Sequence, residues 1–157
     1  MTEFTLNNIA IVFITASPHR VWDALTDPEV SAKYFMNSRV TVGPVGGDYI
    51  VAANGQVSVS GKVLVREPPR RLRVTWVVPA PSGMKFPNCE VEFLIEAAET
   101  TDGSDVTKLT VSEFTNGPVD PKFQRAGRTG WALITSGLKS WLETGAPLPR
   151  VKLQPPA

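Results

Sequence analysis

Two hydrophobic periods alternate along the chain. Residues Ile9 to Ile14 are apolar and mostly β-branched, the composition of a strand. Ser17-Pro18 reads as a helix start. A serine hydroxyl can accept from the first turn, and proline fits the position whose N–H would have no partner. Val21, Trp22 and Leu25 share one face of that short helix, and Asp27-Pro28 opens another carrying Val30 and Tyr34 four apart. Strands follow at 39–42 and 48–52, and Asn54-Gly55 marks a hairpin turn. From Gln56 to Arg66 the pattern alternates, with Val57, Val59, Gly61, Val63 and Val65 on one face. From Arg71 it places Leu72, Val74, Trp76 and Val78 together. A proline-rich loop covers 79–88. Val91, Phe93 and Ile95 alternate with glutamates, and Leu109 and Val111 face inward on a last strand from Val106 to Phe114. Asp120-Pro121 opens a long helix whose stripe is Phe123, Gly127, Trp131, Ile134, Leu138, Trp141 and Leu142, and Gly145 follows it as the expected C′ residue. This order predicts an α+β fold. An antiparallel sheet of six to seven strands wraps the long C-terminal helix, with two short helices after the first strand.

Composition adds mainly exclusions. A chain of 157 residues suits one domain, with a core at about 9–145 and a proline-rich tail at 146–157 lacking regular structure. Sixteen basic against fifteen acidic residues leave a charge of +1, which gives no electrostatic case for nucleic acid. The apolar run at 9–16 is too short for membrane insertion and has no basic segment before it, so a cytoplasmic location is expected. A single cysteine, Cys89, permits no internal disulfide.

Candidate chemistry is sparse. His19 is the only histidine and is placed in the exposed first turn of a short helix. Ser–His or Cys–His catalysis would depend on it. One histidine and one cysteine make no zinc site. Gly43-Pro44-Val45-Gly46-Gly47 lacks the lysine of a phosphate loop and opens no helix. No metal and no cofactor is therefore expected. Arg66, Arg70, Arg71 and Arg73 read as a solvated hairpin corner. Gly127, central to the long helix's stripe, either admits close packing or leaves a cavity wall. Inward aromatic residues are numerous: Trp76, Phe93 and Trp131, with Tyr34, Phe35 and Trp141 beside them. Glu113 continues the inward parity of Leu109 and Val111. A carboxylate in an apolar interior must be paired, protonated or ligand-bound, unless the strand frays there and leaves it at the rim. An unpaired interior carboxylate predicts that Glu113→Gln stabilises the unliganded protein.

Several motifs in order carry a family resemblance: Ala16-Ser17-Pro18 with Val21-Trp22 and Leu25-Thr26-Asp27-Pro28, then Gly46-Gly47-Asp48-Tyr49. Glu67-Pro68-Pro69-Arg70-Arg71-Leu72 with Thr75-Trp76 is the most specific piece, and Gly130-Trp131 and Leu142-Glu143-Thr144-Gly145 close the pattern. Together they resemble the SRPBCC (START-like, helix-grip) superfamily, in the branch of the activator of Hsp90 ATPase C-terminal domain. The resemblance implies a cavity between the long helix and a curved sheet. The superfamily includes lipid and hormone binders, polyketide cyclases and co-chaperone domains. The expectation is a carrier or sensor of a small hydrophobic or amphipathic ligand, with a cavity formed by Tyr34, Trp76, Phe93, Val111, Glu113, Gly127, Trp131 and Ile134 and with no catalytic residue assigned. The alternatives are a cyclase- or hydrolase-type enzyme, with Glu113 as acid or base assisted by Tyr34, and a chaperone- or regulator-interacting domain. The co-chaperone carries a separate N-terminal domain for which 157 residues leave no room, so a chaperone partner ranks third. A homodimer is left open.

Overall fold

The computed structural model describes residues 3–79 and 86–152. The chain runs β1 (Thr5–Ile14), α1 (Pro18–Thr26), α2 (Pro28–Tyr34), β2 (Arg39–Val42), β3 (Asp48–Ala53), β4 (Gln56–Glu67), β5 (Arg71–Thr75), β6 (Cys89–Ala98), β7 (Val106–Thr115) and α3 (Pro121–Thr144). The seven strands form one antiparallel sheet in the order β1-β7-β6-β5-β4-β3-β2. Strands β2 to β7 therefore meander in sequence order, and β1 joins at the β7 edge. This is the expected α+β helix-grip arrangement.

Each helix begins where the sequence puts an oxygen ahead of a proline. Ser17 Oγ accepts from the Arg20 N–H, an Asp27 carboxylate oxygen from Glu29, and Asp120 from Lys122. Gly145 ends α3 in the left-handed region at φ 77°, its N–H donating to the Trp141 carbonyl.

Three register irregularities bend the sheet: at 6/8 on β1, 51/52 on β3 and 63/65 on β4. Gly61 lies at the tightest place. A Cβ there would sit 1.8 Å from the Thr75 carbonyl oxygen, so only glycine lets the two backbones come so close. The concave face buries Ile14, Val51, Val59, Val63, Leu72, Val74, Val91, Phe93, Ile95, Leu109 and Val111 against Trp131, Ile134 and Leu138 of α3 and Val21, Trp22 and Leu25 of α1.

Two expectations are corrected. Val57 and Val78 share the parity of core residues but lie exposed, because β4 begins beyond the cover of α3 and β5 ends at Thr75. Arg66, Arg71 and Arg73 are not a free corner. Arg66 donates to the Val42 and Gly43 carbonyls and stacks 6.0 Å from the Trp22 ring. Arg71 and Arg73 pair with Glu92 and Glu90, and Arg73 lies 4.5 Å over Phe114. Only Arg70 is left to the turn, where it faces Glu67 at 3.7 Å. The tail has no helix or strand from 146 to 152, and Pro155 and Pro156 lie outside the described residues, as does 80–85 of the predicted loop.

Candidate functional site

Period two along β7 carries Glu113 to the same face as Leu109 and Val111, and the strand continues in register to Thr115. Glu113 therefore does not fray from the sheet. Its carboxylate is paired. Oε1 accepts from Asn7 Nδ2 at 2.8 Å and Asn8 Nδ2 at 3.0 Å, and Oε2 accepts from Trp131 Nε1 at 3.2 Å. The bulge on β1 explains the two asparagines. Leu6 pairs with Phe114 and Asn8 with Glu113, so Asn7 is the extra residue whose amide turns toward the carboxylate. Asn8 is buried, donates also to the Gln124 carbonyl at 3.0 Å, and receives Arg128 Nε at 3.4 Å. Gln124 Nε2 in turn donates to the Asn7 carbonyl at 2.9 Å. The network ties the first turns of α3 to β1 and β7.

Sequence reasoning missed Asn7, Asn8 and Gln124. Asn8 had only a partial signal, since it shares parity with Ala10, Val12 and Ile14 but both faces of β1 are apolar and parity alone does not say which turns inward. Asn7 had none, because parity fails at a bulge. Gly127 lies over the network. A Cβ there would stand 3.3 Å from Asn8 Nδ2 and 3.8 Å from Glu113 Oε1, so its missing side chain makes room for polar groups rather than for a void.

The aromatic residues gather around Trp131. Its ring centroid lies 5.1 Å from Trp76, 5.9 Å from Phe93 and 6.2 Å from Phe35, and Trp76 is 5.8 Å from Tyr49. Trp131 is 5% exposed and Val111 2%. These rings fill the middle of the grip. The open end is elsewhere: none of residues 121–130, the first ten of α3, is buried, whereas 131–138 contains every buried residue of the helix. Beneath that uncovered stretch lie Glu113, the half-buried Trp76 and Cys89. Phe86 and Phe123 stack edge-to-face at 5.6 Å at its margin.

Cys89 points inward with Val91 and Phe93. Burial, then the charges of Glu113 and Glu90, push its thiol up to about 12, which makes it a poor nucleophile. Tyr34 is buried in the corner of α1 and α2. Its hydroxyl donates to the Ala24 carbonyl at 2.6 Å, and burial raises it well above the usual phenol range. The structure thus does not bring Tyr34 to Glu113. Ile134 is core. His19 is exposed on the first turn of α1. Among the described residues no three His, Cys, Asp or Glu side chains converge in a way that could hold a metal ion. Among the described residues no helix is long and apolar enough to cross a membrane.

Solved structures share this architecture. DynU16, a protein of the dynemicin biosynthetic locus, superposes with a TM-score of 0.71 at 24% identity. The match covers 88% of this chain but only 48% of DynU16, so the chain spans about half of that protein's length. CalU16 from Micromonospora echinospora matches at 25% identity and TM-score 0.64, over 92% of this chain and 88% of its own. The Aha1 dimer from Colwellia psychrerythraea, solved in solution, matches at 24% identity and TM-score 0.67, over 87% and 96%. Among curated proteins no match was found. The family model described as Activator of Hsp90 ATPase homolog 1-like protein matches residues 15–143, and the chain belongs to that family.

Proposed function

We propose that this domain binds a small apolar or amphipathic molecule at the open end of the grip, between residues 121–130 of α3 and the sheet. One observation carries the reading. Helix α3 has fully buried residues only from Trp131 onward, and its first ten residues, held to β1 through Gln124 and Asn8, leave the half-buried Trp76 and Cys89 beside one organised carboxylate. That is the usual make-up of a small-molecule site, apolar walls with a few fixed polar contacts. Glu113 supplies the polar contact, oriented by Asn7, Asn8 and Trp131. A ligand hydroxyl or amine would donate to the carboxylate, and its apolar body would lie against Trp76. A neutral fluorescent probe such as N-phenyl-1-naphthylamine tests this. It should bind saturably, quench tryptophan emission by energy transfer, and weaken by about tenfold in Trp76→Ala, the loss typical of an aromatic anchor. Binding that does not saturate, or that ignores both Trp76→Ala and Glu113→Gln, defeats the reading.

A second reading, a protein-interaction domain, is favoured by the outer face of β1. Ile9, Ile11 and Phe13 are each about half exposed there, on an edge strand that carries no charged residue. α3 side chains occupy the ends of that edge, with Gln124 donating to the Asn7 carbonyl and Lys139 to the Phe13 carbonyl, and leave the centre with its apolar row. Sedimentation velocity of the wild type and of Ile11→Lys separates the outcomes. A dimer lost in the variant supports the interaction reading, and a monomer in both, with no binding to purified Hsp90, removes it.

A further inference from the structure

Helix α3 has a second lined face. Leu133 and Gly137 lie on its α2 side, and together with the end of α2 and the 147–151 segment they border an open groove of about 360 Å3. Small-molecule sites span roughly 300–1,000 Å3. Its base depends on Gly137. A Cβ there would stand 3.1 Å from the Tyr34 carbonyl oxygen and 3.4 Å from Tyr34 Cβ, so the bare glycine lets α2 and α3 close beneath the groove.

Three further observations converge on it. Met36, Leu148 and Val151, all exposed large apolar side chains, line this one place. The two charged residues in its lining, Lys33 and Arg150, are both cationic. The backbone is held in the left-handed region at two successive residues, Met36 at φ 50° and Asn37 at φ 58°. Asparagine tolerates that region, but methionine does so at a steric cost. Strain of this kind concentrates where a ligand or switch is held.

We propose that this groove binds a free single-chain amphiphile with an anionic head, of the fatty carboxylate class. The head pairs with Lys33 and Arg150 through charge-assisted hydrogen bonds. The chain lies along Met36, Leu133, Leu148 and Val151. The site is separate from the inner cleft, because Leu133 and Gly137 lie toward α2, on a different face of α3 from Trp131 and Leu138.

Decanoate, with decanol as its neutral counterpart, titrated into the 15N-labelled full chain is the test. Saturable shifts should appear at the amides of Lys33, Gly137, Leu148 and Val151, with decanoate bound at least about tenfold more tightly than decanol. Reversing both charges, Lys33→Glu with Arg150→Glu, should remove about that tenfold while leaving decanol unaffected. Met36→Gly should raise the melting temperature by relieving the left-handed methionine and weaken decanoate, a split that a purely structural Met36 would not give. Shifts confined to Trp76, Glu113 and Gly127, no saturation, or charge reversal without effect would overturn the proposal. So would shifts at the groove with phosphatidylglycerol vesicles but none with free decanoate. Should the double variant fail to fold, the wild-type map and the decanoate–decanol difference decide.

Discussion

Glu113 shows how a register argument can place a residue correctly and still mistake its energetics. Period two puts it on the inward face, where it lies half-buried. An interior carboxylate without partners would be destabilising, and removing its charge would help the fold. Three N–H donors reverse that sign. In Glu113→Gln the amide oxygen can keep one side of the network, but the new NH2 then faces either the asparagine amides or the Trp131 N–H, donor against donor. Leaving a half-buried donor unmatched costs roughly 1–3 kcal/mol. Calorimetry at neutral pH should therefore show Glu113→Gln less stable than wild type. An unchanged melting temperature would mean that the carboxylate holds no more than solvent does. The partners were only half legible in the sequence, because a bulge is invisible to a parity count and Asn7 enters the site only through one.

At the scale of elements, the helix starts and stops were legible because each rests on local chemistry: an oxygen before a proline, a glycine after the last turn. The strand faces were legible wherever polar and apolar residues alternate. They were not at β1, where Ile9 to Ile14 is apolar on both faces and only the fold decides that Asn8, Ala10, Val12 and Ile14 turn inward. The bend at Gly61 was illegible too, since glycine looks like one more small residue until the Thr75 carbonyl is seen against it. The glycines of α3 sort in the same way, by what a methyl group would meet. At Gly130 the nearest such atom is Met36 Cε at 3.9 Å, ordinary contact, and Gly130→Ala should stabilise by up to about 1 kcal/mol through helix propensity alone. At Gly137 the obstacle is the Tyr34 backbone at 3.1 Å, which cannot swing aside. There Gly137→Ala should lose more by pushing α2 from α3 than the roughly 1 kcal/mol it gains in propensity. Urea denaturation of the pair should give shifts of opposite sign. Two shifts of the same sign would show that α2 is not seated on α3 as described.

At the scale of the whole molecule, the buried acids agree in direction. Tyr34 and Tyr49 are buried neutral phenols raised by desolvation, with a smaller contribution to Tyr34 from Tyr49, and the Cys89 thiol is pushed up to about 12. For an acid whose folded pKa is raised, folded and unfolded chains are both protonated below the unfolded value, and nothing is lost there. Above it the unfolded chain releases a proton that the folded chain keeps. Stability therefore falls as pH rises, until the folded group also ionises. The window opens first for Cys89, at its unfolded value of about 8.5, and the tyrosines add to it from about 10. Wild type should lose stability more steeply than Cys89→Ala above about pH 8.5, with the tyrosines adding to both curves from near 10. Self-repulsion of a chain growing more negative also erodes stability in this range. Apart from the thiolate charge itself it acts on both proteins alike, so the difference between the two curves isolates the thiol. Urea unfolding from pH 7 to 12 gives that difference directly. It should open as pH passes the unfolded thiol's pKa and widen through the alkaline range. Two parallel curves would mean that Cys89 is as open to solvent when folded as when unfolded, and that the floor beneath the uncovered half of α3 is wet rather than apolar.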